Sequence, residues 1–386
     1  MTKKKLNLAR SLQPLATRDY RLLFAAVGIE VFGTGVWTIV MVFQVLALDD
    51  SPLALSAVAT GMSLGLFVFS IFGGVVADRY SKRTIIITVQ GCTAAVMTVI
   101  AVLSLTGTIQ LWQVAVASFA MGAGSAFFFP AYSAYLPHIL PAEQLLAANG
   151  LEGALRPSLG QGLGPAVGGL VVGAFFPGVG AVIVAASYTI AFVITLFLSR
   201  LPEMSGPSAP EGATSAWGDL REGVKYVLNT RWLLWTLVFG ASLALIIQGP
   251  IEVLLPFLTR ERFTDPEATF GFLLASYGIG GAIGSLVVSS LRLPRRYLTF
   301  MLACWGGGTL LQRLVPMEMI GRVASLDFFV SIAFMPVSIA IAGPLSLLVP
   351  IPVIFVIAGV VPPLLAVIAI AAGRMPKTEL ARPLDT

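Results

Sequence analysis

Gly74-Val-Val-Ala-Asp78-Arg79-Tyr-Ser-Lys82-Arg83 closes one apolar run, about Leu53 to Ala77, and opens another, about Thr84 to Leu105. Apolar runs of about 20 residues match the hydrocarbon thickness of a bilayer as helices, so this basic turn reads as a loop on a membrane surface. The rest of the chain is oriented from it. Of the 386 residues 57% are hydrophobic and only 11% are charged, and the mean hydropathy is +0.90. These values exclude a soluble domain of this length. The net charge of +5 is spread over short loops and makes no basic stripe with interleaved aromatics, so no nucleic-acid partner is expected. Lys3, Lys4, Lys5 and Arg10 precede an apolar run that starts near Leu22 and has no early small-residue cleavage site. That pattern predicts a retained first span, not a signal peptide.

In chain order the apolar runs predict span 1 at about Leu22 to Leu48 and span 2 at Leu53 to Ala77. Span 3 follows at Thr84 to Leu105, then span 4 at Ile109 to Leu136, with Gly122-Ala-Gly124 and Phe127-Phe-Phe-Pro130 suggesting a kink. Span 5 is about Leu151 to Phe176 and span 6 about Ala181 to Ser199. Leu201 to Ser215 is rich in Pro, Gly, Ser and Glu, and Trp217 to Asn229 has the pattern of an amphipathic surface helix. Span 7 covers Trp232 to Leu258, span 8 Phe270 to Leu291, and the last two long spans Val323 to Leu348 and Ile351 to Ala372. Three regions result: residues 1–200 as a six-helix half, 201–230 as a linker with the surface helix, and 231–386 as a second, shorter half.

Loop charges set the orientation. One set of loops holds Lys3 to Lys5, Arg79, Lys82, Arg83, Arg200, Arg221, Lys225, Arg231, Arg292, Arg295, Arg296, Arg374 and Lys377. The opposite set holds only Arg260 and Arg262, beside Glu261, Asp265 and Glu267. The positive-inside rule places both termini and the Gly74–Arg83 turn in the cytoplasm, in a bacterial-type cytoplasmic membrane.

The two halves repeat each other. Gly74 and Lys82-Arg83 are followed by Pro141-Ala-Glu143 and Gly164-Pro165-Ala-Val-Gly168-Gly169. Gly284 and Arg295-Arg296 are followed by Pro316-Met-Glu318 and Gly343-Pro344. The spacing is unequal: 58 positions separate Arg83 from Pro141, but 20 separate Arg296 from Pro316, a deficit of about 38 residues. Tyr297 to Val315, with Gly306-Gly307-Gly308 at its middle, is too short to cross a bilayer and return. Two short limbs hinged at the glycines are expected there; a single crossing that inverts the last two spans is the alternative. Ten full transmembrane helices plus a short broken segment at 297–315 follow.

Several motifs carry a resemblance. Arg18-Asp-Tyr-Arg21, Ala47-Leu-x-Asp-Ser-Pro-Leu-Ala-Leu-Ser56, Phe128-Phe-Pro-Ala131, Pro141-x-Glu-x-Leu-x-x-Ala-Asn149 and Gln312-Arg-x-Val-Pro-x-Glu-x-x-Gly-Arg-Val323 join the Gly-x-x-x-Asp-Arg-x-x-Lys-Arg turn. Together they resemble the macrolide-efflux-like drug:proton antiporters of the major facilitator superfamily, a group that also includes siderophore exporters. The likeness covers nearly the whole chain and departs from the family around its ninth and tenth spans. It implies an all-α membrane protein of two pseudo-repeated helical halves.

By the same resemblance, Gly74 allows close helix contact and Asp78 meets the start of the eleventh family helix, near Arg322 to Ser325. Arg79, Lys82 and Arg83 hold the turn at the anionic membrane surface, the whole acting as a conformational latch. The alternative is that these cations are only topology markers. Gly164, Pro165, Gly168 and Gly169 resemble the fifth-helix motif associated with antiporters; ordinary close helix packing is the other reading.

Charges at membrane depth are costly and usually functional. Glu30 lies in span 1, and helical spacing puts Thr34, Trp37, Met41 and Gln44 on its face; Glu252 lies in span 7 with Gln248 one turn earlier. The family uses these spans to line its cavity, so both carboxylates are proton-coupling candidates. Thr34, Trp37, Gln44, Phe128, Tyr132 and Gln248 are cavity-lining candidates. The alternative for each carboxylate is a hydrogen bond to a neighbouring helix or a side chain that reaches an interface, and for the aromatics ordinary packing. Glu152 and Arg156, four apart, are expected to pair across one turn. His138, the only histidine, reads as part of a turn, and neither a metal site nor a cofactor is expected. Cys92 and Cys304 read as plain packing.

The expected function is proton-coupled efflux of an amphipathic, drug-like or siderophore-like small molecule by alternating access, performed by a monomer. Its partners would be substrate, protons and lipid. The runners-up are a shortened transporter relative that no longer transports, supported by the deficit, and uptake of a polar nutrient, which calls for more polar cavity residues. A membrane enzyme would need a catalytic set, and the chain has no His pair, repeated intramembrane Asp or nucleotide loop.

Overall fold

Among the described residues the long apolar runs form helices, and several of their ends fall at turn chemistry. In the computed structural model, which describes residues 10–199, 216–290, 296–304, 315 and 317–381, no strand occurs among the described residues. α1 (Arg18–Leu48), α2 (Pro52–Arg79), α3 (Lys82–Leu105) and α4 (Leu111–Ile139) follow in order. Ser51 caps α2, its Oγ accepting from Ala54 N–H at 3.2 Å, with Pro52 preset at the first helical position. Between α3 and α4 the turn passes through Gly107 at φ +69°, a conformation that costs glycine little. α4 runs unbroken through Pro130 and Pro137.

The fifth rod starts earlier than its apolar run suggests. α5 comprises Ala142–Leu155, a π-helical stretch Arg156–Leu163 and then Gly164–Ala174. Pro157 has no N–H to give to the preceding turn, and the widened helix begins beside it. α6 (Pro177–Leu196) completes the first set, and α7 (Ala216–Asn229) is the surface-type helix. In α7, Arg221, Glu222, Lys225 and Leu228 are exposed while Val227 is buried. α8 is Arg231–Gly249, a π-helical stretch Pro250–Leu254, and Leu255–Arg262. α9 (Pro266–Ser290), α10 (Tyr297–Cys304), α11 (Met317–Leu348), α12 (Ile351–Ala372) and α13 (Met375–Ala381) follow. The rods α1 to α6, α8, α9, α11 and α12 are the ten long helices among the described residues. The linker 200–215 and the Gly306–Gly308 hinge lie outside those residues; only the first limb, α10, is seen.

Two compact units result. Met1–Met204 and Leu255–Ile283 form the first, with Tyr20, Leu23, Ile86, Phe128 and Tyr135 in a core of tightly buried side chains. α2 and α4 meet along a glycine seam: a Cβ at Gly122 would lie 1.8 Å from Met62 O, and one at Gly65 2.2 Å from Phe119 O. The Arg83 end of this unit is closed by polar contacts on the last turn of α6. Arg83 Nε and Nη2 donate at 2.8 Å to the carbonyls of Leu198 and Leu196, Tyr135 Oη to that of Ser199 at 3.2 Å, and Ser199 Oγ to Asp19 at 3.0 Å. The first three of these bonds satisfy carbonyls at and just past the helix C-terminus, which the helix itself leaves open.

Ser205–Leu254 and Gly284–Thr386 form the second unit, whose core includes Trp232, Leu233, Leu237, Tyr297, Leu298, Val323 and Met375. Past α12 the chain reverses at Arg374, at φ +50°, and α13 folds back so that Glu379 caps α10. Glu379 Oε1 accepts from Thr299 N–H at 2.8 Å, and Oε2 from Thr299 Oγ1 at 3.3 Å. A helix N-terminus favours an anion there. Glu379→Ala is expected to cost the α10 cap about 1–2 kcal/mol. Faster amide exchange over 297–304, with α1 to α6 unchanged, is the expected result in a hydrogen-exchange comparison.

Candidate functional site

The polar residues of α1 are used inside the first unit. Gly33 lets α6 approach closely, a Cβ there being only 2.8 Å from Ser187 Cβ, and the next residue of α6, Tyr188, is thereby brought to Thr34 at 2.8 Å. Thr34 also donates back to the Glu30 carbonyl at 3.0 Å. Glu30 accepts from Gln90 of α3 at 2.5 Å, and Gln44, about two turns beyond Trp37, accepts from Ser104 of the same helix. Trp37 is 2% exposed, with no hydrogen-bond partner for Nε1 among the described residues. Met41 is half-buried.

A glutamine is a versatile partner for a carboxyl at this depth. Its NH2 donates to the carboxylate, and after amide rotation its oxygen accepts from the protonated acid. Gln90 Oε1 has no other partner among the described residues, so both arrangements are open to the pair. Glu30 also feels the charge of Arg156.

Arg156 opens the π-helical stretch of α5. Its guanidinium pairs with Glu152, Nη2 at 2.6 Å and Nε at 2.7 Å, and lies 4.7 Å over the Phe129 ring. Tyr132 lies near the same carboxylate. Phe128 and Tyr132 stack at 5.9 Å and are 2% and 3% exposed, part of the core of the unit.

In the second unit Glu252 lies within the π-helical stretch Pro250–Leu254 and accepts from Gln248 one turn earlier. Asp327 is half-buried on α11.

The basic turn is placed as follows. Gly74 lies in α2, where a Cβ would meet no described atom within 4 Å; the close approach falls on Gly73, whose Cβ would be 2.0 Å from Ala126 O. The side chains of Asp78, Arg322 and Ser325 lie outside the described residues. Arg79 is exposed, Lys82 half-buried, and Arg83 holds α6.

The fifth-helix motif packs on two sides of the same unit. A Cβ at Gly164 would be 2.7 Å from Phe32 O and one at Gly168 3.1 Å from Ile39 Cβ, both on α1. One at Gly169 would be 2.6 Å from Glu267 O, while Gly271 of α9 lies against Pro165 O at 2.5 Å by the same measure. Glycine is required where backbones come this near.

His138 sits in the last turn of α4, its Nδ1 2.8 Å from Ala134 O, and Cys92 is an exposed free thiol. No group of three metal-binding side chains occurs among the described residues. Sequence reasoning passed over Gln90 and Tyr188 because it followed polar residues along the spans that carry Glu30 and Glu252; the same search along spans 3 and 6 would have found both.

Against known proteins, residues 9–303 match the family model described as transmembrane secretion effector. The chain is 26% identical over 244 residues to macrolide efflux protein A of Enterococcus faecalis, covering 60% of this chain and 72% of that protein. It is 27% identical over 316 residues to the enterobactin exporter EntS of Shigella boydii, covering 79% and 72%. A crystal structure of a bacterial homologue of the iron transporter ferroportin, in an inward-facing state, superposes with a TM-score of 0.67 at 16% identity over 92% of this chain and 98% of that one.

Proposed function

The chain belongs to the transmembrane secretion effector family of major facilitator transporters, and from that membership we propose that it exports an amphipathic small molecule against an inward flow of protons. That it is a multi-pass membrane transporter of the efflux type is shown by the family. Proton coupling, the substrate class and alternating access are the proposal. The observation that carries it is Glu30, about 18 Å along α1 from Arg18 at the helical rise, facing a neutral amide at 2.5 Å. An ionisable group kept within an apolar helix, with no ion pair among the described residues, is suited to gaining and losing a proton.

In this reading residues 1–200 and 231–386 are the two moving halves and 201–230 the linker between them. Both termini are cytoplasmic in the bacterial inner membrane, and the protein acts as a monomer. Glu252 is a second candidate acid. The Gly74, Asp78, Arg79, Lys82 and Arg83 turn serves as a conformational latch, and Gly164, Pro165, Gly168 and Gly169 serve the antiport exchange. The deficit between Arg296 and Pro316 favours a second reading, a relative that has lost transport.

One experiment separates them. Efflux of a fluorescent cationic dye is measured in cells lacking their own pumps, with the pH gradient intact or collapsed, for this chain and for one with a two-span insert between Gly306 and Gly308. Gradient-dependent efflux by the chain itself is the expected result. Efflux by the lengthened chain alone would establish the second reading.

A further inference from the structure

Within the second unit, one side chain of α11 is built into the backbone ladder of α8. Ser338 is 3% exposed. Its Oγ accepts from Gly249 N–H at 2.8 Å and donates to Leu245 O at 2.6 Å. Residues 245 and 249 are the pair that an α-helix joins carbonyl to amide, so the hydroxyl lies across one rung. The two backbones touch to make this contact: a Cβ at Gly249 would stand 2.2 Å from Ser338 O, so only glycine fits.

The rung is placed at the point where α8 changes form. Pro250 follows with no N–H, the π-helical stretch Pro250–Leu254 begins there, and Glu252 sits in its middle, bonded to Gln248 on the turn that Ser338 holds. A π-helical turn contains one residue more than an α-helical turn, and one residue is about 100° of helix rotation. The direction of the Glu252 carboxyl therefore depends on whether the widened turn is kept.

We propose that Ser338 is a positioning residue: its hydroxyl substitutes for part of the α8 ladder and sets the turn that aims Gln248 and Glu252. Loss of the hydroxyl lets Gly249 and Leu245 close an ordinary rung, α8 tightens, and Glu252 turns to different surroundings. The importance of this for transport rests on the reading of Glu252 as a proton-carrying acid; the aim of the side chain does not.

The test uses the full chain in proteoliposomes and dicyclohexylcarbodiimide, which modifies protonated carboxyls in apolar surroundings. Labelling of Glu252 is followed by peptide mass spectrometry across a pH series for the parent chain, Ser338→Ala and Ser338→Thr, each checked for folding by gel filtration. A severalfold change in Glu252 labelling and a displaced pH profile in Ser338→Ala, with the parent profile regained in Ser338→Thr, is the expected result. A Ser338→Ala profile that overlies the parent overturns the proposal. Should Ser338→Ala fail to fold, Ser338→Cys, near in size but a weak hydrogen-bonding group, carries the same comparison with Ser338→Thr. Transport by Glu252→Gln is measured alongside. Undiminished transport there would overturn the proton-carrying role of Glu252 while the labelling still decides on Ser338.

Discussion

Glu30→Gln is expected to abolish gradient-driven dye efflux, down to the background of cells without the protein, at unchanged abundance in the membrane. The substitution keeps the size of the side chain and a hydrogen bond to Gln90, since amide can pair with amide, and removes only the ability to titrate. A structural role for Glu30 would therefore survive it. Gln90→Ala serves as the companion variant: it withdraws the neutral partner and leaves a carboxyl at depth with less compensation, so a partial loss is expected. Downhill exchange of dye across vesicles with no pH gradient should persist in Glu30→Gln, because binding and movement of the helices do not need the proton. Efflux retained at half the parent rate or more would sink the assignment of Glu30.

The other large effect is expected in the glycine seams. Gly122→Leu brings a branched side chain to where even a Cβ stands 1.8 Å from Met62 O, and the obstacle is backbone that cannot rotate away. Relief requires α2 and α4 to separate along the most intimate contact of the first unit. Overpacking of a tight core costs about 3 kcal/mol or more when nothing yields. Aggregation on solubilisation and near-complete loss of folded protein by gel filtration are the expected outcome. Gly164→Leu should act similarly through Phe32 O and Gly35 of α1, whereas Gly74→Leu, where no described atom lies within 4 Å, should leave the fold intact. Equal yields of Gly122→Leu and Gly74→Leu would contradict this account of the packing.

The contrast between Gly73 and Gly74 shows where motif reading ends. Both are glycines at the end of one apolar run, and the family pattern selects Gly74, but the rotation of α2 about its axis decides which of them faces Ala126. Gly122 has the same history, since in one dimension it resembles part of a kink with Pro130, and in three it is the point of contact with Met62. The Glu152–Arg156 pair was legible because both residues lie on one helix at i, i+4, a spacing fixed by helical geometry.

By itself, then, the sequence determined the class of solvent, the number and approximate limits of the long helices among the described residues, the amphipathic helix before the second half, and the presence of carboxylates within apolar helices. All of these follow from hydropathy and helical period, which are local. Only the tertiary structure decided what those carboxylates meet. Gln90 is 60 residues from Glu30 and Ser338 is 89 from Gly249, and no local rule links them. The π-helical turns at Arg156–Leu163 and Pro250–Leu254 belong to the same category. Proline made a break there favourable, but which contacts surround each widened turn is set by neighbouring helices, as where the Ser338 hydroxyl bonds to Gly249 N–H and Leu245 O just before the second of them.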